Sequence, residues 1–367
     1  MKRNMLAFGT ILFFSVALFS CSESSDSNTE NDLTLEESLT AKTSTLSTAV
    51  STITESKGYE ILTLSDSDTK TSTEDDDSRF SAAITLDDIK GVYEYSAAIA
   101  EDTTETKMSY NSKFEKTGDS DNFVVKLPKE KANNPWNLYL EEEGDSTLVN
   151  DFVITTTQYN YSFSGGFEFN YLLNSSIEVE EEAAGELYVN WSISEDLNYE
   201  YESKYTFTDD YSVGIEFQYG DTVQYAYMLK NGEDVLFKEA LSFYKNDEEN
   251  GRSYEYTLAI GAIEIVKSSS SDSYLVYQDG ELQEDAIIEV VSDTSESTDD
   301  EHVFCRKGLD LQITFADGSV VILSELLGDG TLDKMTEIFS SMYDMYFVNH
   351  VVNKVAHEAY YMNNSED

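Results

Sequence analysis

The sequence predicts a mainly β protein with α+β character at its two ends. A long antiparallel meander presents one apolar, Tyr- and Phe-rich face, and a C-terminal helix covers that face. Three observations carry this expectation. First, in Leu197 to Phe207 the odd positions read Leu, Tyr, Tyr, Ser, Tyr, Phe and the even positions read Asn, Glu, Glu, Lys, Thr. Alternation of that kind marks a half-buried strand. Second, Asp209-Asp210, Gly220-Asp221, Asn231-Gly232, Asn250-Gly251, Asp279-Gly280 and Asp317-Gly318 stand between the alternating runs at hairpin spacing, which makes neighbouring strands antiparallel. Third, Leu332, Met335, Ile338, Phe339, Met342, Met345, Tyr346, Val352, Val355 and Ala359 form one helical stripe near the C-terminus.

The elements follow in chain order. Residues 1–20 are expected to be a signal peptide and residues 21–33 a polar tether. Residues 34–80 hold a helix and a disordered acidic linker. Thr34 and Glu37 match a capping box. Leu35, Leu39, Leu46, Val50 and Ile53 follow at helical spacing, and Lys57-Gly58 is a C-terminal stop. The spacing therefore predicts a helix over about 35–57, with a short strand over 59–64. Residues 65–80 carry six acids in sixteen positions and almost nothing apolar, the composition of a solvated linker. Asp66, Asp68 and Asp77 lack the glycine a calcium loop needs, and Lys70 takes a ligand position.

Residues 81–325 form the β domain. It opens with one helical turn over 85–90, stopped by Gly91. Tyr159-Tyr161-Phe163, Phe167-Phe169-Tyr171, Tyr211 to Tyr219 and Val223 to Leu229 repeat the period of two. Gly165-Gly166 is read as a bend, and 292–301 as a second disordered loop. Residues 326–367 supply the helix that packs on the sheet. No Pro or Gly interrupts 331–361, so one long helix is expected, with a break admitted near Asn349.

Charge narrows the function. Against 23 Lys+Arg stand 72 Asp+Glu in 367 residues, a net charge of -49. Such a chain repels phosphate backbones, which excludes nucleic acid as a partner. Lys2 and Arg3 precede an apolar run from Met5 to Phe19, the layout of an export signal. The run is too short for a comfortable membrane span, and no other segment reaches 18 apolar residues.

Leu18-Phe19-Ser20-Cys21 resembles the lipobox of bacterial lipoproteins, with Phe19 bulkier than the usual residue at its position. The resemblance implies a diacylglyceryl group on the Cys21 thiol, cleavage before Cys21 and acylation of the new amino terminus. Several acyl chains anchor a protein firmly. Ser22-Glu23-Ser24-Ser25-Asp26 is similar to the surface-export tether of Bacteroidota lipoproteins, which implies an outer-membrane location facing the cell surface. With Cys21 lipidated, Cys305 has no disulfide partner within the chain and is read as a buried small hydrophobe. Leu86 to Tyr93 resembles the first strand of lipocalin-like domains, with Tyr93 where that family carries Trp.

No catalytic residue is assigned. The three histidines are His302, His350 and His357. His350 and His357 lie two turns apart and cannot close a zinc sphere, and no His-Glu-x-x-His, Gly-x-Ser-x-Gly or Gly-rich phosphate loop occurs. No metal or cofactor is expected. A glycosidase carboxylate pair is a minor alternative that 72 acids cannot resolve. With 25 Tyr, 19 Phe and two Trp, aromatic stacking is the stronger theme. Trp136, beside Pro135, and Trp191, in Leu187-Val189-Trp191-Ile193, are candidate platforms for sugars or other flat ligands; ordinary strand packing is the competing reading.

These features together suggest a lipid-anchored, non-enzymatic binding or adhesion module for protein or glycan. An alternative is an envelope carrier of lipid or other apolar molecules, held in a cavity between sheet and helix.

Overall fold

The computed structural model describes residues 33–63, 83–96, 113–132, 147–164, 168–246, 251–292, 309–344 and 346–364. Cys21, Trp136, His302, Cys305 and the expected loops at 65–80 and 292–301 fall wholly or largely outside these residues, as does Gly165-Gly166.

The chain is mainly β. Eighteen strands form two sheets among the described residues. The small one holds β16 (Ile287–Ser292), β17 (Leu309–Thr314) and β18 (Val320–Ile322). The large one is the expected meander. It runs through β5 (Phe152–Phe163), β6 (Phe169–Val179), β7 (Glu182–Ile193), β8 (Tyr199–Phe207), β9 (Tyr211–Tyr219), β10 (Thr222–Asn231), β11 (Asp234–Asn246) and β12 (Gly251–Ile260). It continues through β13 (Ile263–Ser268), β14 (Leu275–Gln278) and β15 (Glu281–Leu282), each strand antiparallel to the next. On the far side of β5 lie β4 (Phe123–Leu127), then β2 (Gly91–Tyr95), then β3 (Phe114–Gly118). There the antiparallel expectation fails at one place: β2 and β4 pair in parallel. The three-residue β1 (Ala83–Thr85) pairs with the second half of β5. The path ends on β3 and β15, an open sheet among the described residues rather than a lipocalin-like barrel.

Turn chemistry sets the register. Asp210, Gly232, Asp279, Gly280 and Gly318 all have positive φ, the conformation tight hairpins demand and the residues that adopt it at least cost. The hairpins so fixed put the odd positions of β7 to β10 on one face, as the alternation predicted.

Helices cover that face. They are α1 (Leu35–Thr54), α2 (Lys57–Leu62), α6 (Asp329–Asp344) and α7 (Tyr346–Asn364); α5 (Leu323–Leu327) packs on β17 and β18, and α3 (Leu86–Ile89) and α4 (Lys129–Ala132) are single turns within the β region. α1 tolerates its many threonines because Thr40, Thr43, Thr45, Thr48 and Thr52 return their hydroxyls to carbonyls four residues back. α7 runs along β5. Phe347 meets Phe152 at 6.0 Å, the Tyr159 hydroxyl donates to Asn353 at 3.0 Å, and His357 stands edge-on to Tyr161 at 4.6 Å. α6 places the buried Phe339 against Tyr227 and Phe237.

Two expectations are corrected. Where a strand was expected over 59–64, the described residues up to Leu62 belong to helix α2. Ser56 adopts extended backbone and its hydroxyl accepts the Tyr59 amide at 3.1 Å, so the segment restarts as a capped helix instead of extending. The first helix accordingly stops at Thr54, not at 57. The C-terminal stripe falls on α6 and α7, helical on either side of residue 345, which lies outside the described residues, and Asn349 lies within α7. α6 lies over β9 and β10, and α7 follows β5.

Gly58 shows how closely α2 approaches the sheet. A Cβ there would stand 2.5 Å from the Ala184 carbonyl oxygen and 2.7 Å from Phe207 Cδ1. Alanine would gain about 1 kcal/mol of helix propensity, but a backbone oxygen cannot yield that distance, so overpacking at about 1–3 kcal/mol wins. Gly58→Ala is expected to lower the denaturant midpoint. A raised midpoint would mean α2 is not seated this closely.

Candidate binding surface: an aromatic shelf on the sheet

The register aligns inward positions of successive strands into rows across the sheet. One inner row reads Leu187, Tyr205, Val213, Leu229, Phe237, Ile260, and every member is buried. Two rows nearer the other end of the strands differ. From β7 to β12 they read Trp191, Tyr201, Phe217, Tyr225, Leu241, Tyr256, and then Ile193, Tyr199, Tyr219, Val223, Phe243, Tyr254. None of these twelve is buried, and Tyr219 and Tyr254 are 49% and 36% exposed. They form a shelf of rings past the helical cover. Six strands at about 4.8 Å spacing make it about 24 Å wide.

The rings hold one another edge-on. Phe169 meets Trp191 at 4.7 Å, Trp191 meets Tyr199 at 5.9 Å and Tyr201 at 6.4 Å, and Tyr199 meets Phe217 at 5.3 Å. Phe217 continues to Tyr225 and Tyr225 to Tyr227 at 4.6 Å. Both ends of this chain are clamped by helices: Tyr227 by Phe339 of α6, and Phe169, through Tyr161, by His357 of α7. Edge-to-face pairs of this kind contribute about 0.5–1.5 kcal/mol each beyond area burial. The shelf is thus preorganised.

One carboxylate enters the apolar rows. Glu239 lies opposite Tyr227 on one side and Leu258 on the other. Its Oε1 accepts the Tyr256 hydroxyl at 3.0 Å, and the Tyr225 and Tyr227 hydroxyls bond to each other one strand away. Burial pushes the Glu239 carboxyl up to about 7, against the smaller opposing effect of the Tyr256 bond. A perturbed carboxyl and three phenols at the inner border of an apolar surface are the ingredients of a ligand site.

The opposite face of the sheet is polar. A groove of about 170 Å³ there is lined by Asn190, Glu200, Glu202, Glu216, Gln218 and Gln224, among others. Where Gly214 leaves room between Ser212 and Glu216, a hollow of about 30 Å³ holds no more than a water or two. No group of three or more metal-ligating side chains occurs among the described residues. No described helix is long and apolar enough to cross a membrane.

Of the two tryptophans singled out from sequence, Trp191 sits within the shelf, packed on Phe169, Tyr199 and Tyr201; Trp136 lies outside the described residues. His357 packs on Tyr161. Sequence reading missed Glu239. Its signal was present: in Phe237, Glu239, Leu241, Phe243 it is the acid in phase with the apolar positions.

Glu239 gives the fold a measurable pH dependence. Its ordinary value is about 4.3. Between there and about 7 the folded chain holds a proton that the unfolded chain has released. Stability therefore falls as pH rises through this window, by about 3–4 kcal/mol in all, and no further above it. Glu239→Gln keeps an oxygen for Tyr256 and removes the charge. Urea unfolding is expected to show the variant gaining on the wild type from pH 5 to pH 8. A difference that does not change with pH would contradict the burial of this carboxyl.

Comparison of the chain with protein-family models, curated proteins and solved structures found no match.

Proposed function

We propose that the chain is a lipid-anchored envelope protein, outer-membrane and surface-facing, that binds a protein or glycan partner on the aromatic shelf without turning it over. The observation that carries this reading is the pair of part-exposed aromatic rows from Trp191 to Tyr256 and from Ile193 to Tyr254. Contiguous exposed apolar surface on a sheet costs solubility and is kept where something docks. Tyr and Trp are the residues that supply large contact area with few rotatable bonds. The anchor is supported by Lys2-Arg3, the apolar run and the Cys21 lipobox. The interlocked contacts of Phe339 and Phe347 with the sheet favour an outward-facing site over a carrier cavity between the layers.

The two halves of the proposal are tested separately. Metabolic labelling with a fatty acid should tag the wild type and fail on Cys21→Ala, which should also leave the detergent phase for the aqueous one; label persisting on the variant would remove the anchor. For the shelf, glycan and protein arrays probed with wild type should give saturable binding. Tyr201→Ala or Tyr225→Ala should weaken it by about tenfold or more, since central aromatic anchors dominate interfaces. Glu216→Gln, on the polar face, should not. Blank arrays, or equal losses from both faces, would overturn the shelf as the binding surface.

A further inference from the structure

We infer that the inner border of the shelf, where Glu239 stands among Tyr225, Tyr227 and Tyr256, receives the cationic end of a Lys or Arg side chain from a basic protein segment lying across the shelf. This rests on the reading of the shelf as a binding surface and names the chemistry of its partner.

The geometry is as follows. Glu239 occupies the last covered row, directly opposite Tyr227, and Tyr225, Leu241 and Tyr256 open the next row outward. A side chain crossing the shelf toward the helices reaches this carboxylate after passing over aromatic rings. Among the described residues its polar partner is the Tyr256 hydroxyl, with no cation at hand. A desolvated carboxylate without a counter-charge is unfavourable, and an incoming cation relieves it. Ring faces attract the same cation through their quadrupoles, and the long alkyl stem of Lys or Arg suits an apolar floor.

Charge at the rim points the same way. The described turns at this end of β5 to β10 carry Glu168, Glu195, Asp196 and Asp221, all exposed, and no Lys or Arg. The cationic positions in phase with this face lie at its far side: Lys245 on β11, in register with Arg252 on β12, and Lys267 on β13, opposite Tyr256 and over the Tyr274 ring. They bound the acidic stretch, so the segment lies over β7 to β11. The width of that floor, about 19 Å over five strands, suits an extended peptide better than one small amine. A chain of net charge -49 draws basic partners at long range, and the half-buried Glu239 carboxylate confers register on arrival.

The test uses the full chain in detergent, carrying Trp136→Phe so that Trp191 reports from within the shelf. The probes are a lysine oligomer of about ten residues, a glutamate oligomer of the same length and free choline, at about 0.15 M salt to screen exposed charge. The lysine oligomer should change Trp191 emission saturably and the glutamate oligomer should not. Glu239→Gln should weaken the lysine oligomer by about tenfold, and Glu216→Gln, the same charge change on the opposite face, by less than about twofold. Circular dichroism checks that each variant is folded. Equal binding by Glu239→Gln and wild type, or equal losses in Glu239→Gln and Glu216→Gln, would overturn the inference. Choline binding as tightly as the oligomer would overturn the assignment to a protein segment. Loss of binding in Tyr201→Ala but not in Glu239→Gln would leave the shelf standing and remove the cation recess; no loss in either would remove both.

Discussion

The helices seal the inner rows of the sheet and leave the outer rows part-exposed, and the rest of the structure depends on that partial cover. Strands of nine to thirteen residues in the meander run about 30–40 Å. A helix with its side chains is about 10–12 Å across. α1, α2 and α6 cover the inner rows, where Tyr205, Val213, Leu229 and Ile260 are all but sealed from water. They stop before Tyr201, Phe217 and Tyr225. Register then does the rest. Because strands β7 to β12 keep one phase across the hairpins, the uncovered part of each strand adds to one continuous surface instead of scattered apolar residues.

The side chains chosen for the uncovered rows suit a surface that must stay soluble until it is occupied. Tyr predominates, and its ring can pack edge-on while its hydroxyl remains wet. The chain of rings from His357 to Phe339 ties the shelf to both C-terminal helices, so order in the covered core extends into the open part. The opposite face carries Glu200, Glu202 and Glu216, and the whole chain is strongly acidic. Mutual repulsion between copies opposes pairing of exposed sheet surfaces and edges.

Much of this was legible in the sequence because its signals are local. Period-two alternation located β8, β9 and β10, and Asp-Gly and Asn-Gly pairs located their turns. What failed was governed by tertiary contact. Tyr59 to Leu64 has the composition of a strand, yet the Ser56 cap and the close seat offered by Ala184 and Phe207 put its described part as far as Leu62 in a helix. Trp191 was read chiefly as strand packing. It does pack, but in a row that the helices do not reach, and no property of its own strand foretells where a helix about 130 residues or more away in the chain will end.

Glu239 was invisible for a different reason. Among 72 acids a single Glu carries no weight until its face is known. Once register puts it between Tyr227 and Leu258, it is the carboxylate among inward positions that are otherwise apolar or hydroxylic in those rows of β5 to β12. A hydrophobic residue there would stabilise the fold more, since burial of the charged form opposes folding above neutral pH. Glu239 lies at the border between the covered rows and the open ones, the place where a docking side chain would meet it. A stability cost positioned at the edge of a preorganised aromatic floor is the pattern expected when a site is shaped for its partner instead of for the isolated chain.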